Sequence, residues 1–82
     1  MKPLNNKIQL DVKEIEYMGE SSGAIEEHGT IIALGDYMDE EKWKIGATLY
    51  FKAWAVDIIT EGDKKYYFID ALSDAICGIR YE

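Results

Sequence analysis

Few side chains in this sequence could carry out nucleophilic chemistry. The chain contains one histidine, His28, and one cysteine, Cys77. A serine or cysteine nucleophile needs a base within hydrogen-bond reach. Ser21 and Ser22 are near His28 in sequence, but they belong to a glycine-containing segment that does not fix their geometry. We therefore predict that the chain is not an enzyme, that His28 is a solvated turn residue, and that Cys77 is a small buried apolar residue.

The sequence offers equally little for metal or cofactor binding. One histidine and one cysteine cannot complete the tetrahedral ligand set of a closed zinc site. Four acidic residues cluster in a polar segment, namely Asp36, Asp39, Glu40 and Glu41. Carboxylates suit calcium or magnesium, but this cluster lacks the alternating spacing of a calcium-binding loop. We predict no metal and no cofactor, and interpret the cluster as a solvated acidic turn.

The charge of the chain narrows the classes of partner. Sixteen acidic and nine basic residues give a net charge of -7, which repels phosphate backbones and anionic lipids. Neither nucleic acid nor a membrane is therefore a predicted partner. An aromatic platform for nucleic-acid bases would need a basic groove. We instead assign five aromatic residues to core and subunit contacts: Trp43, Tyr50, Trp54, Tyr66 and Tyr67.

Two further features of the sequence bear on localisation. The first residues lack the apolar stretch of a signal peptide. A single cysteine fits a reducing compartment, because it cannot form a disulfide within the chain. The cytoplasm is the predicted location.

Short β-strands are the elements that must position these residues. Residues 7–12 alternate strictly, which places Ile8, Leu10 and Val12 on one face. An apolar run at residues 31–34 is bounded by turn residues and predicts a short buried strand. The remaining predicted strands cover residues 48–59, with a bend at positions 53 and 54, and residues 65–69 and 75–81. Within residues 48–59 the predicted inward side chains are Leu49, Phe51, Trp54, Val56 and Ile58.

Residues 17–28 break this pattern and are predicted to form a loop. The segment is polar and carries one isolated apolar pair, Ala24 and Ile25. Such a loop can dock an apolar side chain on a partner, or it can be an ordinary long connection. The sequence leaves both interpretations open.

Eighty-two residues predict one domain, residues 1–82. Several short strands without a long amphipathic helix favour a small all-β sandwich or barrel, and we favour a partly open β-barrel. Its unclosed terminal strands could pair with a neighbouring subunit.

Five motifs occur in an order typical of one family. They are KPLNNKI at residues 2–8, KEIE at 13–16, GTIIALG at 29–35, KIGATLYF at 44–51, and YYFI with DAICGI at 66–69 and 74–79. In this order, over nearly the whole chain, they resemble the GroES-type co-chaperonins, small barrels that cap a chaperonin ring. One departure is Ala47, where that family usually has aspartate.

The resemblance implies a GroES-like barrel that assembles into a homo-oligomer, expected to be a heptamer. The first strand of each subunit would pair with the last strand of its neighbour. The residues implied at this subunit interface are Leu4, Lys7, Ile8, Leu10, Ile76, Cys77 and Ile79. Residues 17–28 would form the mobile loop, with Gly23, Ala24 and the anchor Ile25 contacting the chaperonin.

Two functions follow from the resemblance. The first is a co-chaperonin whose ring caps a chaperonin to assist ATP-dependent folding, in the cytoplasm of the host if the chain is virus-encoded. The loop departs from the family because it is several residues shorter and leads directly into Glu26 and Glu27. The roof-forming segment at residues 36–43 is also short. The departure in the loop favours the second function, a viral structural or assembly ring that makes no contact with a chaperonin.

Overall fold

A computed structural model describes residues 1–81, apart from the side chains of Tyr17, Glu20, Ser21 and Ser22. The described chain contains eight β-strands, one 3₁₀ turn at Ala53–Ala55 and no α-helix. The strands are β1 (Lys7–Asp11), β2 (Glu14–Tyr17), β3 (Glu20–Ile25), β4 (His28–Leu34), β5 (Thr48–Phe51), β6 (Asp57–Glu61), β7 (Lys64–Asp70) and β8 (Ile76–Arg80). The prediction of a small, mostly β fold is confirmed.

The strands form one large antiparallel sheet and one separate hairpin. The six-stranded sheet has the order β6-β7-β1-β4-β5-β8, and β2 pairs with β3. Strand β1 lies in the interior of the sheet, where Ile8 is opposite both Ile69 of β7 and Leu34 of β4. The hydrogen-bonded order ends at β6 and β8, so the described sheet is not closed.

The core lies on one face of this sheet. Strict alternation in β1 directs Ile8 and Leu10 inward, as predicted, and each is at most 2% exposed. The other largest fully buried side chains come from β4, β5 and β7, and they are Ile31, Leu49, Phe51 and Ile69. Burying an aliphatic or aromatic side chain of this size contributes about 1.5–3 kcal/mol to folding.

The predicted long strand at residues 48–59 is interrupted. Strand β5 ends at Phe51, the 3₁₀ turn follows, and β6 begins at Asp57. The turn breaks the period of two. Of the inward positions predicted beyond Phe51, Val56 is half-buried and packs against the core. The inward predictions for Trp54 and Ile58 are wrong, because these side chains are 75% and 46% exposed.

The loop predicted at residues 17–28 is also wrong, because most of this segment is strand. Residues 17–25 lie in the β2–β3 hairpin, and His28 begins β4. The hairpin closes through a two-residue turn in which Met18 and Gly19 have φ of 52° and 82°. Positive φ at both positions is the conformation that matches the twist of a hairpin, and asparagine or glycine usually supplies it. This turn was hard to predict from the sequence, because methionine is rare at its first position.

Candidate partner-binding surfaces

The turn of the β2–β3 hairpin presents one apolar side chain to solvent. Met18 is 88% exposed, the highest value among the large hydrophobic side chains that the structure describes. A residue with a Cβ in the left-handed region costs about 1–2 kcal/mol. An exposed apolar residue held at such a cost is a candidate for function, since local backbone strain is common at binding sites.

The base of the hairpin is part of the core. Ile25 is 6% exposed and packs in the same cluster as Val12. The backbone N–H of Glu26 donates to the carbonyl of Lys13 at 2.9 Å, which holds the two hairpin ends together. The predicted anchor Ile25 is therefore unavailable to a partner in this fold, although its predicted companions Gly23 and Ala24 are exposed.

A side-chain contact joins the hairpin to the large sheet. The Lys65 ammonium donates to Glu14 Oε1, and the Tyr67 hydroxyl donates weakly to the same oxygen at 3.5 Å. The hydrogen bond and charge of Glu14 raise the pKa of Lys65. Burial raises the pKa of Tyr67, and the nearby Glu14 charge adds to the effect. Glu14 on β2 therefore attaches the hairpin to the large sheet through a polar contact, in addition to the apolar contact made by Ile25.

Some residues of the predicted subunit interface are accessible to a neighbouring copy in this fold, and others are not. Ile8 and Leu10 are buried in β1, and the register of that strand pairs Lys7, Ile8 and Leu10 with β7 as well. Strand β1 therefore has no open edge, and the prediction that it pairs with a neighbour is wrong. Leu4 precedes β1 and is 58% exposed.

Strand β8 is the available half of that interface. It is the last strand of the sheet and pairs only with β5. Ile76 and Ile79 are half-buried. Cys77 was predicted to be buried, but it is exposed. The pairing of β8 with β5 shifts register here: Ile76 is opposite Phe51 and Gly78 is opposite Tyr50, so Cys77 has no opposite residue on β5.

The segment at residues 1–6 leads into β1 and is hydrogen-bonded within the chain, because the carbonyls of Asn5 and Asn6 accept from the backbone N–H groups of Tyr37 and Ala71. Pro3 is buried, and Met1 and Leu4 line an apolar groove with Ile59 of β6 and Phe68 of β7. The groove has a volume of about 230 Å³. Exposed apolar side chains from the segment therefore lie beside β6 and β7, remote from β8 in the strand order.

The only histidine lies beside a polar groove of about 220 Å³. His28 is half-exposed, and its Nε2 is 3.3 Å from Glu26 Oε2. Asp11 and Lys13 also line this groove. The serine neighbours of His28 in sequence, Ser21 and Ser22, have side chains outside the described part of the structure. The described hydroxyl residues that line the groove are Thr30 and Thr48.

The acidic segment behaves as a turn in the structure. Asp39 Oδ1 accepts a hydrogen bond from the backbone N–H of Glu41 at 2.9 Å, and Asp36 is 3.5 Å from Lys2 Nζ. Over the side chains that the structure describes, no three His, Cys, Asp or Glu residues converge as metal ligands.

Comparison with known proteins adds no family assignment. Neither the protein-family models nor the curated proteins include a match to this chain. In the described residues no helix is both long and apolar enough to span a bilayer.

Proposed function

We propose that this chain is the subunit of a GroES-like co-chaperonin ring, which caps a chaperonin and assists ATP-dependent protein folding. The observation that carries the proposal is that the sheet ends at two edge strands, β6 and β8, and that exposed apolar side chains of residues 1–6 lie beside β6.

This placement favours assembly between copies. An open strand edge readily accepts another extended segment. If the amino-terminal segment of one copy pairs with β8 of the next, each copy uses two different surfaces. Such a head-to-tail contact repeats from copy to copy and forms a ring when the rotation between neighbours closes. Of the residues predicted at the subunit interface, the proposed contact retains Leu4, Ile76, Cys77 and Ile79. The segment before β1 takes the place of β1 itself.

The β2–β3 hairpin supplies the proposed contact with the chaperonin. A ring presents one hairpin per subunit, so weak contacts by Met18 add through a high effective concentration. Burying one such side chain contributes about 1.5–3 kcal/mol. The anchor therefore moves from Ile25, which the core retains, to Met18 at the turn.

Binding to a GroEL-type chaperonin tests this function. The ring and the chaperonin would be mixed with ATP, with ADP and without nucleotide, then separated by size. We expect a nucleotide-dependent complex that is lost in Met18→Asn and kept in a control, Thr60→Val, on exposed strand β6. The absence of a complex in every nucleotide state would refute the co-chaperonin function.

The second candidate is a ring used as a viral structural or assembly component. The burial of Ile25 favours it, because the residue implied as the chaperonin anchor is held in the core. This alternative predicts a ring of the same size in native mass spectrometry whose composition is unaffected by chaperonin and nucleotide.

A further inference from the structure

Strand β6 leaves one side of its backbone open at the edge of the sheet. It is terminal in the strand order of the described sheet, and all five of its residues are exposed. Glu61 and Lys64 are opposite each other and flank the two-residue turn between β6 and β7. Residues that flank such a turn exchange backbone hydrogen bonds, and bonded and non-bonded pairs alternate along antiparallel strands. The N–H and C=O groups of Ile58 and Thr60 therefore point away from β7, toward the open edge.

The apolar groove beside residues 1–6 lies along the outer face of this edge. Ile59 of β6 and Phe68 of β7 line it together with Met1 and Leu4. Phe68 is 6% exposed and Ile59 is 42% exposed, so more of the apolar surface that remains open to solvent is on the β6 side. An added strand would place one side chain about 4.5–5.5 Å from Ile59, on the same face as the groove.

Two carboxylates flank Ile59 on this face. Asp57 and Glu61 are two positions before and after Ile59, so the three side chains point to the same side of β6. Lys7 Nζ is 3.6 Å from Asp57 Oδ2, but it is also 3.7 Å from Asp70 Oδ2, so one cation serves two carboxylates. Among the described side chains, Glu61 forms no ion pair. The outer face of the edge therefore has an acidic-apolar-acidic pattern.

We infer that the β6 edge binds an extended basic segment of a partner protein, with the pattern basic-x-apolar-x-basic. Its apolar side chain lies opposite Ile59, and its two basic side chains lie opposite Asp57 and Glu61. The cation opposite Glu61 within the chain, Lys64, is on β7 and leaves the edge itself acidic. The net charge of -7 also attracts a basic partner. This site is separate from the β8 edge and from the hairpin turn of the proposed ring.

A second copy of the chain is a poorer occupant of this edge. Antiparallel pairing of two β6 strands about Ile59 would place Asp57 of each copy opposite Glu61 of the other. Like charges directly opposite each other destabilise a strand pair. Charge complementarity therefore favours a basic segment from another protein.

Peptide binding measured by fluorescence anisotropy tests this inference. The probe is a fluorescein-labelled peptide of sequence Ser-Thr-Arg-Thr-Ile-Thr-Arg-Thr-Ser, whose symmetric centre fits either strand direction. The matched control peptide has glutamate in place of both arginines. We expect the arginine peptide to bind at least about tenfold more tightly than the glutamate peptide, with a difference that shrinks as salt is added.

A third peptide tests whether binding extends the sheet. N-methylation of the two threonines beside the isoleucine keeps both charges, but it removes the N–H donors that would meet the edge at Ile58 and Thr60. This peptide should show no binding. Binding that survives N-methylation, or equal binding of the arginine and glutamate peptides, would refute the inference.

Three variants place the peptide on the outer face of β6. Glu61→Lys should weaken binding of the arginine peptide about tenfold or more and strengthen binding of the glutamate peptide. Ile59→Thr keeps a β-branched side chain but removes apolar surface, so it should also weaken binding. Thr60→Val is the matched control, because position 60 is on the opposite face of the same strand. It should bind like wild type, and thermal unfolding would verify that each variant is folded.

Two further results would overturn the inference. Tight binding of the arginine peptide that neither Glu61→Lys nor Ile59→Thr weakens would place the peptide elsewhere on the chain. If no peptide binds and Ile59→Thr instead lowers the mass of the assembled wild type, a second copy occupies the edge. The chaperonin-binding test depends on the hairpin turn, so its outcome is independent of these measurements.

Discussion

The β2–β3 hairpin and the six-stranded sheet are held in place by different means. Each interior strand of the sheet is paired on both sides and contributes to the core, as β1 does through Ile8 and Leu10. In the described sheets β2 pairs with β3, and the contacts that attach the hairpin to the rest of the chain include the buried Ile25 and the Glu14 contact with β7. An isolated two-stranded hairpin is only marginally stable in water. The base of the hairpin therefore belongs to the fold, whereas its turn can change without affecting it.

The largest effect on stability is expected for a substitution at the base of the hairpin. Ile25→Ala removes buried methyl groups and should lower the free energy of unfolding by about 2–5 kcal/mol. Chemical denaturation monitored by circular dichroism measures this loss.

Ile15→Ala is the control within the same hairpin, because Ile15 is 45% exposed and should cost much less. Equal losses for the two variants would show that the hairpin base is not part of the core.

A smaller effect is expected at the polar attachment. The pKa of Lys65 is raised above its ordinary 10.5, so the stabilisation by Glu14 is fully present below that pH and is lost above it. The raised pKa of Tyr67 acts in the same direction above its ordinary 10.0, because the unfolded chain ionises first. Stability should fall as pH rises above about 10.

Glu14→Gln isolates this contribution. At neutral pH the variant should be less stable than wild type, and its loss of stability should be smaller than that of Ile25→Ala. The difference in stability between Glu14→Gln and wild type should narrow as pH rises from 9 to 11. Thermal unfolding at several pH values measures the gap. A gap that stays constant over this range would mean that Lys65 and Tyr67 do not hold the hairpin through Glu14.

The smallest effect, and one of opposite sign, is expected at the turn. Met18→Asn replaces a strained residue with one that tolerates positive φ, so stability should rise by up to about 1 kcal/mol. Thermal unfolding of the purified chain checks this gain. A loss of stability would contradict the conclusion that the turn can change without affecting the fold.

The same two regions show what the sequence could reveal. Strand β1 was predictable because one face is buried and the pattern alternates strictly through Ile8 and Leu10. The hairpin was not predictable, since Met18 is not a typical residue at its turn position. The burial of Ile25 depends on its long-range packing in the core, which no local pattern specifies.

The edges were harder to predict than the strands themselves. Alternation indicates which side chains face inward, but it does not give the order of strands in a sheet. The sequence therefore placed β1 at an edge, although β4 and β7 flank it. The exposure of Cys77 likewise follows from a register shift that single-sequence patterns do not reveal.

Head-to-tail pairing is the central claim, and two complementary variants test it most directly. Cys77→Pro should block the β8 edge, because proline cannot donate to an added strand. Leu4→Lys should block the amino-terminal segment by placing a charge on its exposed apolar surface. Circular dichroism of each variant would confirm that it is folded.

Native mass spectrometry of the two variants, alone and mixed in equal amounts, is the decisive measurement. Each variant alone should be monomeric, and the mixture should give a 1:1 dimer, because one intact β8 edge meets one intact amino-terminal segment. Wild type should give a single closed oligomer. Rings formed by either variant alone, or a mixture that remains monomeric beside a wild-type ring, would contradict head-to-tail assembly through these surfaces.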